Sequence, residues 1–469
     1  MSWDGAIDAA QWFFIAYFIG LNLAYLALIA CSLLELPRHL EARLLDLLPR
    51  AYSEYEPPVS VVIPAYNEEA TIATSVHSML QLDYPQLEVI VVNDGSADGT
   101  LAALRREFAL VRYPEAYWRR LDAKPVRAIY RSAKFANLRV IDKENGGKAD
   151  ALNAGLNAAR YPLVCAVDAD SILERMSLRR VVAPFLNDPR TVASGGTVRI
   201  ANGCEVRGGF LEKVGLPAKI LPLLQIVEYL RAFLFGRLGW APMNAVLIIS
   251  GAFGVFRKDV VVGAGGYRHD TVGEDMELIV RLHRVHRLAG GPYRVAFLPD
   301  PICWTEAPET LKVLRLQRTR WQRGLGESLA YNRALLFHRR GGAPGWVAFP
   351  FMAAFELFGP ALEVAGYLFM ALGFVFGFIG DAAFWAFMLL AIGLGMMLSA
   401  SALLLEEISF HIYKRPSELL ALAVASMFEN LGYRQLVSLW RLQGFMQWAV
   451  GTRGRWGEMK RTASWQREL

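Results

Sequence analysis

The stretch Tyr161 to Ser171, YPLVCAVDADS, decides how the rest of the chain is read. Leu163 to Val167 is continuous, apolar and partly β-branched, and it is too short for a helix. It therefore reads as a buried strand of a parallel sheet. Two carboxylates follow at its carboxyl end. Alternate residues of an extended segment project to the same side, so Asp168 and Asp170 would converge in the crevice where open α/β sheets bind ligands. Close carboxylates repel, and a divalent cation removes that conflict. Mg²⁺ or Mn²⁺ bridging a diphosphate suits an all-oxygen site. Taken alone, the triplet reads equally well as the cap of a helix over Ile172 to Arg180.

A chain of 469 residues has room for two or three units. The mean hydropathy of +0.26 says that one of them is not soluble. Trp12 to Leu34 lacks acidic and basic residues and exceeds the roughly 20 residues that cross a bilayer. Ala382 to Leu405 is similar, and Trp346 to Gly380 is apolar except for Glu356 and Glu363. Asp4 and Asp8, with no Lys or Arg before the apolar run, do not fit a secretory signal, so residues 1–35 are expected to form an uncleaved anchor. Arg38, Arg43 and Arg50 follow it and place everything onward in the cytoplasm, with the N-terminus outside. Cys31, Cys165, Cys204 and Cys303 show no metal-ligand spacing and read as packing thiols. The net charge of +6 does not imply nucleic acid, because no reading motif accompanies it. Membrane lipids account for the basic segments.

Residues 36–55 place Leu40, Leu44, Leu47 and Leu48 on one helical face, as expected of an interfacial helix that ends at Glu56-Pro57-Pro58. An α/β domain over 56–300 opens with VSVVIPAYNEE, a strand and turn followed by a helix over Glu68 to Gln81. LEVIVVNDGSADGT repeats the scheme: a strand from Leu87 to Val92 ends in Asn93-Asp94-Gly95-Ser96, and Asp98 or Thr100 caps the next helix. With LRVIDKEN and the strand before DAD, these units predict a mostly parallel, nucleotide-binding sheet. Arg105 to Lys134 carries nine basic and three acidic residues and reads as a solvated excursion. Leu221 to Leu238 is amphipathic, with polar Gln225, Glu228 and Arg231 among its residues, and is expected against the membrane. The glycine-rich GAFGVFRKDVVVGAGGY at 251–267 predicts close backbone approach to a ligand. Beyond it lie helices at 301–345, two membrane helices at 346–407, and an interfacial or re-entrant helix with a basic tail at 408–469.

Four separated signals now need one explanation: Asp94, the Asp168/Asp170 pair, GEDMEL at 273–278 and QRTRW at 317–321. In this order, with apolar spans on both sides and with PAYNEE, NGGKADALNAG and CWTE between, they resemble the membrane-bound family-two glycosyltransferases. That group holds the cellulose, hyaluronan, chitin and poly-N-acetylglucosamine synthases. The nearest likeness is to the bacterial poly-N-acetylglucosamine type. The resemblance covers nearly the whole chain and implies a GT-A type domain flanked by transmembrane and interfacial helices.

The resemblance also implies roles. Tyr66, Glu68, Asp94 and Lys148 would bind the donor, with Tyr66 stacking on the uracil that Asp94 contacts and Lys148 meeting the diphosphate. Asp168 and Asp170 would hold the metal. Asp275 would be the general base, taking a proton from the acceptor hydroxyl during a single inverting displacement. Glu274, Gln317, Arg320 and Trp321 would serve the acceptor and diphosphate, the indole as a platform for a sugar ring. The implied reaction extends a β-linked polysaccharide from a UDP-sugar, with UDP-N-acetylglucosamine suggested by the nearest likeness, at the cytoplasmic face of the inner membrane. Its partners would be the donor, a glycan acceptor, membrane lipids and, in some assemblies, an accessory membrane subunit.

Glu356 and Glu363, seven residues apart beside Gly359-Pro360, are expected on one helix face lining the route of the growing glycan. Gly451, Thr452 and Arg453 resemble the family's W-G-T-x-G-R gating loop, with Ala449 and Val450 inserted after Trp448. Two competing readings are the transfer of one sugar to a lipid acceptor and a silent export subunit. QRTRW between spans argues against the first, and the intact acids argue against the second.

Overall fold

A computed structural model describes residues 3–46 and 56–451 of the chain. Its centre is a ten-stranded sheet in the order β3-β4-β5-β2-β1-β6-β11-β8-β12-β7. The strands are β1 (Val59–Ala65), β2 (Leu87–Asn93), β3 (Leu110–Arg112), β4 (Val126–Ser132), β5 (Leu138–Lys143), β6 (Leu163–Val167), β7 (Ile172–Leu173), β8 (Thr191–Ile200), β11 (Phe253–Arg257) and β12 (Arg294–Thr305). A separate hairpin pairs β9 (Glu205–Arg207) with β10 (Phe210–Lys213). The middle, β5-β2-β1-β6, is parallel. β4 and β11 run antiparallel on either side of it, and β8 and β12 are parallel to each other.

Helices on both faces explain why β2, β5 and β6 are buried at every position. The Lys148–Ala158 helix lies so close to β1 that a Cβ on Gly155 would stand 2.2 Å from Val62, which accounts for the glycine that ends NGGKADALNAG. Because the parallel strands share a direction, Tyr66, Asp94, the NGGK loop and Asp168 all emerge at one edge of the sheet.

Several boundaries differ from expectation. Ile172 and Leu173 form β7 against the end of β12, and the next helix begins only at Ser177, so DAD caps no helix. Edge pairing to a long strand displaced the helical option there. Asp168 to Asp170 form a turn closed by Ser171 N–H on the Asp168 carbonyl, 3.0 Å. Their convergence is thus a property of the turn rather than of strand alternation. The first crossover helix starts at Ile72 instead of Glu68, because the Glu68 side chain accepts from the Thr71 hydroxyl and holds the preceding turn. The boundary expected at 300 falls inside β12.

The N-terminal helix runs from Trp3 to Asp46 without a break at Pro37, so no separate interfacial helix starts at 36. His39 Nε2 meets Asp300 Oδ2 at 2.5 Å, tying this extension to β12. Residues 47–55 lie outside the described residues. Among the described residues, Gly5–Pro37 and Asp381–Ser409 are long and apolar enough to cross a membrane. Pro344–Leu357 and Gly359–Val375, bent by 44°, make a third if they form one span. The bend sits where Pro360 enters the first turn of a helix, a position that needs no N–H. Glu356 and Glu363 therefore stand on two segments, not on one straight helix. At the C-terminal side, the Pro416–Phe428 helix is broken at Leu431 and Gly432, where the backbone leaves the helical region, and the Arg434–Ala449 helix follows.

Candidate active site

The NGGK turn wraps the end of β2. Gly147 N–H donates to Asp94 Oδ2 at 2.7 Å, Gly146 N–H to Oδ1 at 3.0 Å, and the Asn145 amide to the Asp94 carbonyl at 2.8 Å. Lys143, fully buried, puts its ammonium between Asp94 and Asp150. A buried ammonium flanked by two carboxylates has the compensation that its burial demands. Asp94 is itself only 2% exposed, whereas Tyr66 beside it is 45% exposed. Glu68 sits on the same rim, its N–H on the Thr100 hydroxyl.

Lys148 opens the helix after NGGK. Its ammonium lies 2.6 Å from Asp168 Oδ1 and 3.2 Å from Glu274 Oε1. Burial works against that charge, but Asp168, Glu274 and Asp275 outweigh it and raise the pKa above the ordinary lysine value. Asp170 is buried and accepts from the Thr305 hydroxyl at 3.1 Å. Glu274 and Asp275 begin the Glu274–Ala289 helix, where acids suit the positive end of the dipole. Burial, helped by Asp275, raises the Glu274 carboxyl above its usual value against the pull of Lys148. Asp275 Oδ2 accepts Gly251 N–H and Oδ1 accepts Met276 N–H, both at 2.8 Å. The absence of a side chain at Gly251 lets Lys148 and Asp275 close in: a Cβ would stand 2.9 Å from Lys148 Nζ and 3.1 Å from Asp275 Oδ2. The glycine-rich stretch thus brings its backbone against the charged side chains of the site.

QRTRW lies in the Leu311–Tyr331 helix. Gln317 and Trp321, one turn apart, face the same cavity. That cavity has a volume of about 370 Å³, and its wall contains Lys148, Asp168, Asp170, Glu274, Asp275, Gln317, Arg320, Trp321 and Glu356. Asp94, Tyr66 and Glu68 are not in its lining, and the NGGK loop links Asp94 to it, with Gly147 on Asp94 and Lys148 in the wall. A smaller hollow of about 60 Å³ shares Tyr25, Glu228, Arg231, Glu356 and Arg441 with it and adds Glu363, Glu429 and Arg434. The polar wall therefore continues from the sheet edge into the apolar helices.

The Arg434–Ala449 helix holds that continuation. Arg441 pairs with Glu356 at 2.7 Å and Arg434 with Glu363 at 3.4 Å, while Ser438 donates to Glu363 at 2.7 Å. Arg441 also donates to the Gln322 side-chain oxygen at 2.8 Å, fastening the same helix to the helix that carries QRTRW, one residue past the motif. Glu228 and Arg231, polar residues of the expected amphipathic segment, face inward toward Arg318 and Glu429. Trp448 packs on Gly326 and Gly451 takes a positive φ of 73°. Thr452 and Arg453 lie outside the described residues.

The sequence reading gave no site role to Lys143, Asp150, Glu228, Arg318 or Arg441. Lys143 had a signal, since a lysine in a wholly buried strand pattern demands an acidic partner. Asp150 is the partner that lysine demands, seven residues on, and Glu228, Arg318 and Arg441 are explained by partners distant in sequence.

Residues 60–260 match the family model described as glycosyl transferase family 2, and residues 163–400, half of the chain, match glycosyl transferase family group 2. A poly-beta-1,6-N-acetyl-D-glucosamine synthase of Staphylococcus aureus (strain COL) is 31% identical over 274 residues, 58% of this chain and 55% of that protein. Its counterpart from Staphylococcus epidermidis is 28% identical over 272 residues, with the same shares covered. The chain thus spans about half the length of these curated relatives. Among solved structures, the mannosyltransferase PcManGT from Pyrobaculum calidifontis, in complex with GDP-Man and Mn²⁺, superposes with a TM-score of 0.51 at 20% identity. That match covers 94% of this chain and 99% of the other, and shows a shared fold.

Proposed function

The chain belongs to the family-two glycosyltransferases, inverting enzymes that use a nucleotide-sugar, and from that premise we propose that it extends a β-linked polysaccharide from a UDP-sugar, UDP-N-acetylglucosamine first among them. The observation that carries this reading is the single cavity in which Lys148, DAD, Glu274-Asp275 and QRTRW meet and from which a polar wall continues into the apolar helices.

In this reading Asp94, Tyr66 and Glu68 hold the nucleoside end of the donor, and Lys148 and Arg320 balance the diphosphate. Asp275, its carboxylate aimed by two backbone amides, takes the proton of the acceptor hydroxyl. The acceptor oxygen then forms its bond to the anomeric carbon from the face opposite the donor phosphate. The carbon–phosphate oxygen bond breaks, and UDP leaves with that electron pair. Gln317 and Trp321 hold the acceptor sugar, and Glu274 helps orient it.

The donor set fits a divalent cation, Mg²⁺ or Mn²⁺. Asp168 and Asp170 offer hard carboxylate oxygens at the cavity, and no group of three or more His, Cys, Asp or Glu side chains arranged for a metal occurs among the described residues. Two carboxylates, completed by substrate phosphates and water, are the usual holding for such an ion. When bound, the cation would supply neutralising charge to the departing diphosphate.

The polar wall supports a path for the product through Glu356 and Glu363, with the catalytic domain on the cytoplasmic side of the inner membrane. An accessory membrane subunit fits the exposed apolar helices equally well as lipid does. The test is a screen of the purified protein against UDP- and GDP-sugars with Mg²⁺ or Mn²⁺, with products sized by mass spectrometry. Ladders from UDP-N-acetylglucosamine are expected; addition of one sugar to lipid, or turnover only with another nucleotide, overturns the polysaccharide reading.

A further inference from the structure

QRTRW owes its family assignment to Gln317, Arg320 and Trp321, yet the most buried member is Arg318, at 2% exposure. Its guanidinium carbon lies 4.2 Å from the centroid of the Trp321 ring, as the i, i+3 spacing allows. Nη1 donates to Gln317 Oε1 at 2.7 Å, and Nη2 donates to Glu228 Oε2 at 2.7 Å. Tyr433 donates to the same Glu228 oxygen at 2.6 Å. One guanidinium therefore touches both side chains assigned to the acceptor and anchors them to helices about 90 and 115 residues away in sequence.

We propose that Arg318 is the positioning residue of the acceptor platform: it covers one face of the Trp321 indole, turns the Gln317 amide so that Nε2 is the end left for a sugar hydroxyl, and is itself held by Glu228. The geometry has two consequences. A sugar ring reaches only the uncovered surface of Trp321, which is 36% exposed and bounded by Phe233 at 5.7 Å and Tyr229 at 6.5 Å. The amide end facing the acceptor is a donor, so Gln317 recognises an oxygen lone pair. Lysine cannot replace Arg318, because stacking on an indole and bonding two acceptors in one plane need the flat guanidinium.

This inference rests on the acceptor role given to Gln317 and Trp321, and its test separates the two. Transfer to an added acceptor, with the donor found in the screen above, is measured beside acceptor-independent donor hydrolysis. Arg318→Lys should raise the acceptor KM about tenfold, in line with loss of a desolvated cation–π contact, while donor hydrolysis and donor KM stay within about twofold. In a Trp321→Ala background the same change should raise acceptor KM by less than about twofold, since the platform it positions is gone. An unchanged acceptor KM, a parallel fall in hydrolysis, or effects that multiply in the double variant would overturn the proposal. If Arg318→Lys does not accumulate, Glu228→Gln decides the matter: it keeps one acceptor for the guanidinium, and about a threefold rise in acceptor KM is expected where no rise refutes. Product ladders versus single additions settle the polysaccharide reading separately, because acceptor KM is defined for either product.

Discussion

The donor edge and the acceptor end proposed for this site are built by different means. At the donor edge, Asp94, the NGGK loop, Lys148 and Asp168 follow directly from strand ends, and their bonds join neighbouring loops of one sheet. At the acceptor end, Glu228 holds Arg318 of QRTRW and is itself held by Tyr433, while Arg441 bonds Gln322 just after the motif, so that helices far apart in the chain are linked. The difference teaches that the chemistry toward the nucleotide is set by local chain geometry. The grip proposed for the acceptor depends on how the C-terminal helix docks.

The largest expected effect lies where the two ends meet. Asp275→Asn should slow transfer by about 10² to 10⁴ while UDP affinity, measured by calorimetry, changes little. Turnover like the wild type would remove Asp275 from the proton transfer and break the division into donor and acceptor ends. Next is the donor edge itself. Lys143→Met leaves Asp94 and Asp150 as buried carboxylates without their shared cation and should cost about 3–5 kcal/mol of stability, read as a fall in Tm in detergent. A Tm unmoved by this change would mean that the edge does not rest on that pair.

A third test concerns the helix that joins the ends. His283 in the Glu274–Ala289 helix is buried, donates from Nε2 to the Val246 carbonyl and accepts at Nδ1 from the Tyr293 hydroxyl. Burial pushes its pKa down to about 4. The unfolded chain therefore binds a proton near pH 6.5 that the folded one refuses, and the neutral ring's contribution is full above about 6.5 and lost as pH falls toward 4. The loss should reach about 3 kcal/mol. Chemical denaturation of wild type and His283→Gln at several pH values should show this part of the slope only in the wild type.

The smallest effect is expected at the far end. Glu363→Gln weakens the pairing to Arg434 and should shorten polymer by roughly half with donor hydrolysis unchanged. Labelling Glu363→Cys, in a background without the four native cysteines, should succeed from outside and slow during synthesis. Labelling indifferent to donor would close the proposed path.

Alternating apolar runs and acid-bearing strand ends determined, from the sequence alone, the sheet, the apolar spans and the positions of the acids, because each depends on residues a few places apart. DAD, NGGK and GEDMEL could be located for that reason. Only the tertiary structure decided that β7 replaces a helix after DAD, that the N-terminal helix runs past Pro37, and that a bend separates Glu356 from Glu363. It also decided that Arg318, Glu228 and Arg441 belong to the site. Their meaning lies in partners dozens to hundreds of residues away. A buried arginine looks like a surface one in sequence until the carboxylate that compensates it is brought alongside by folding.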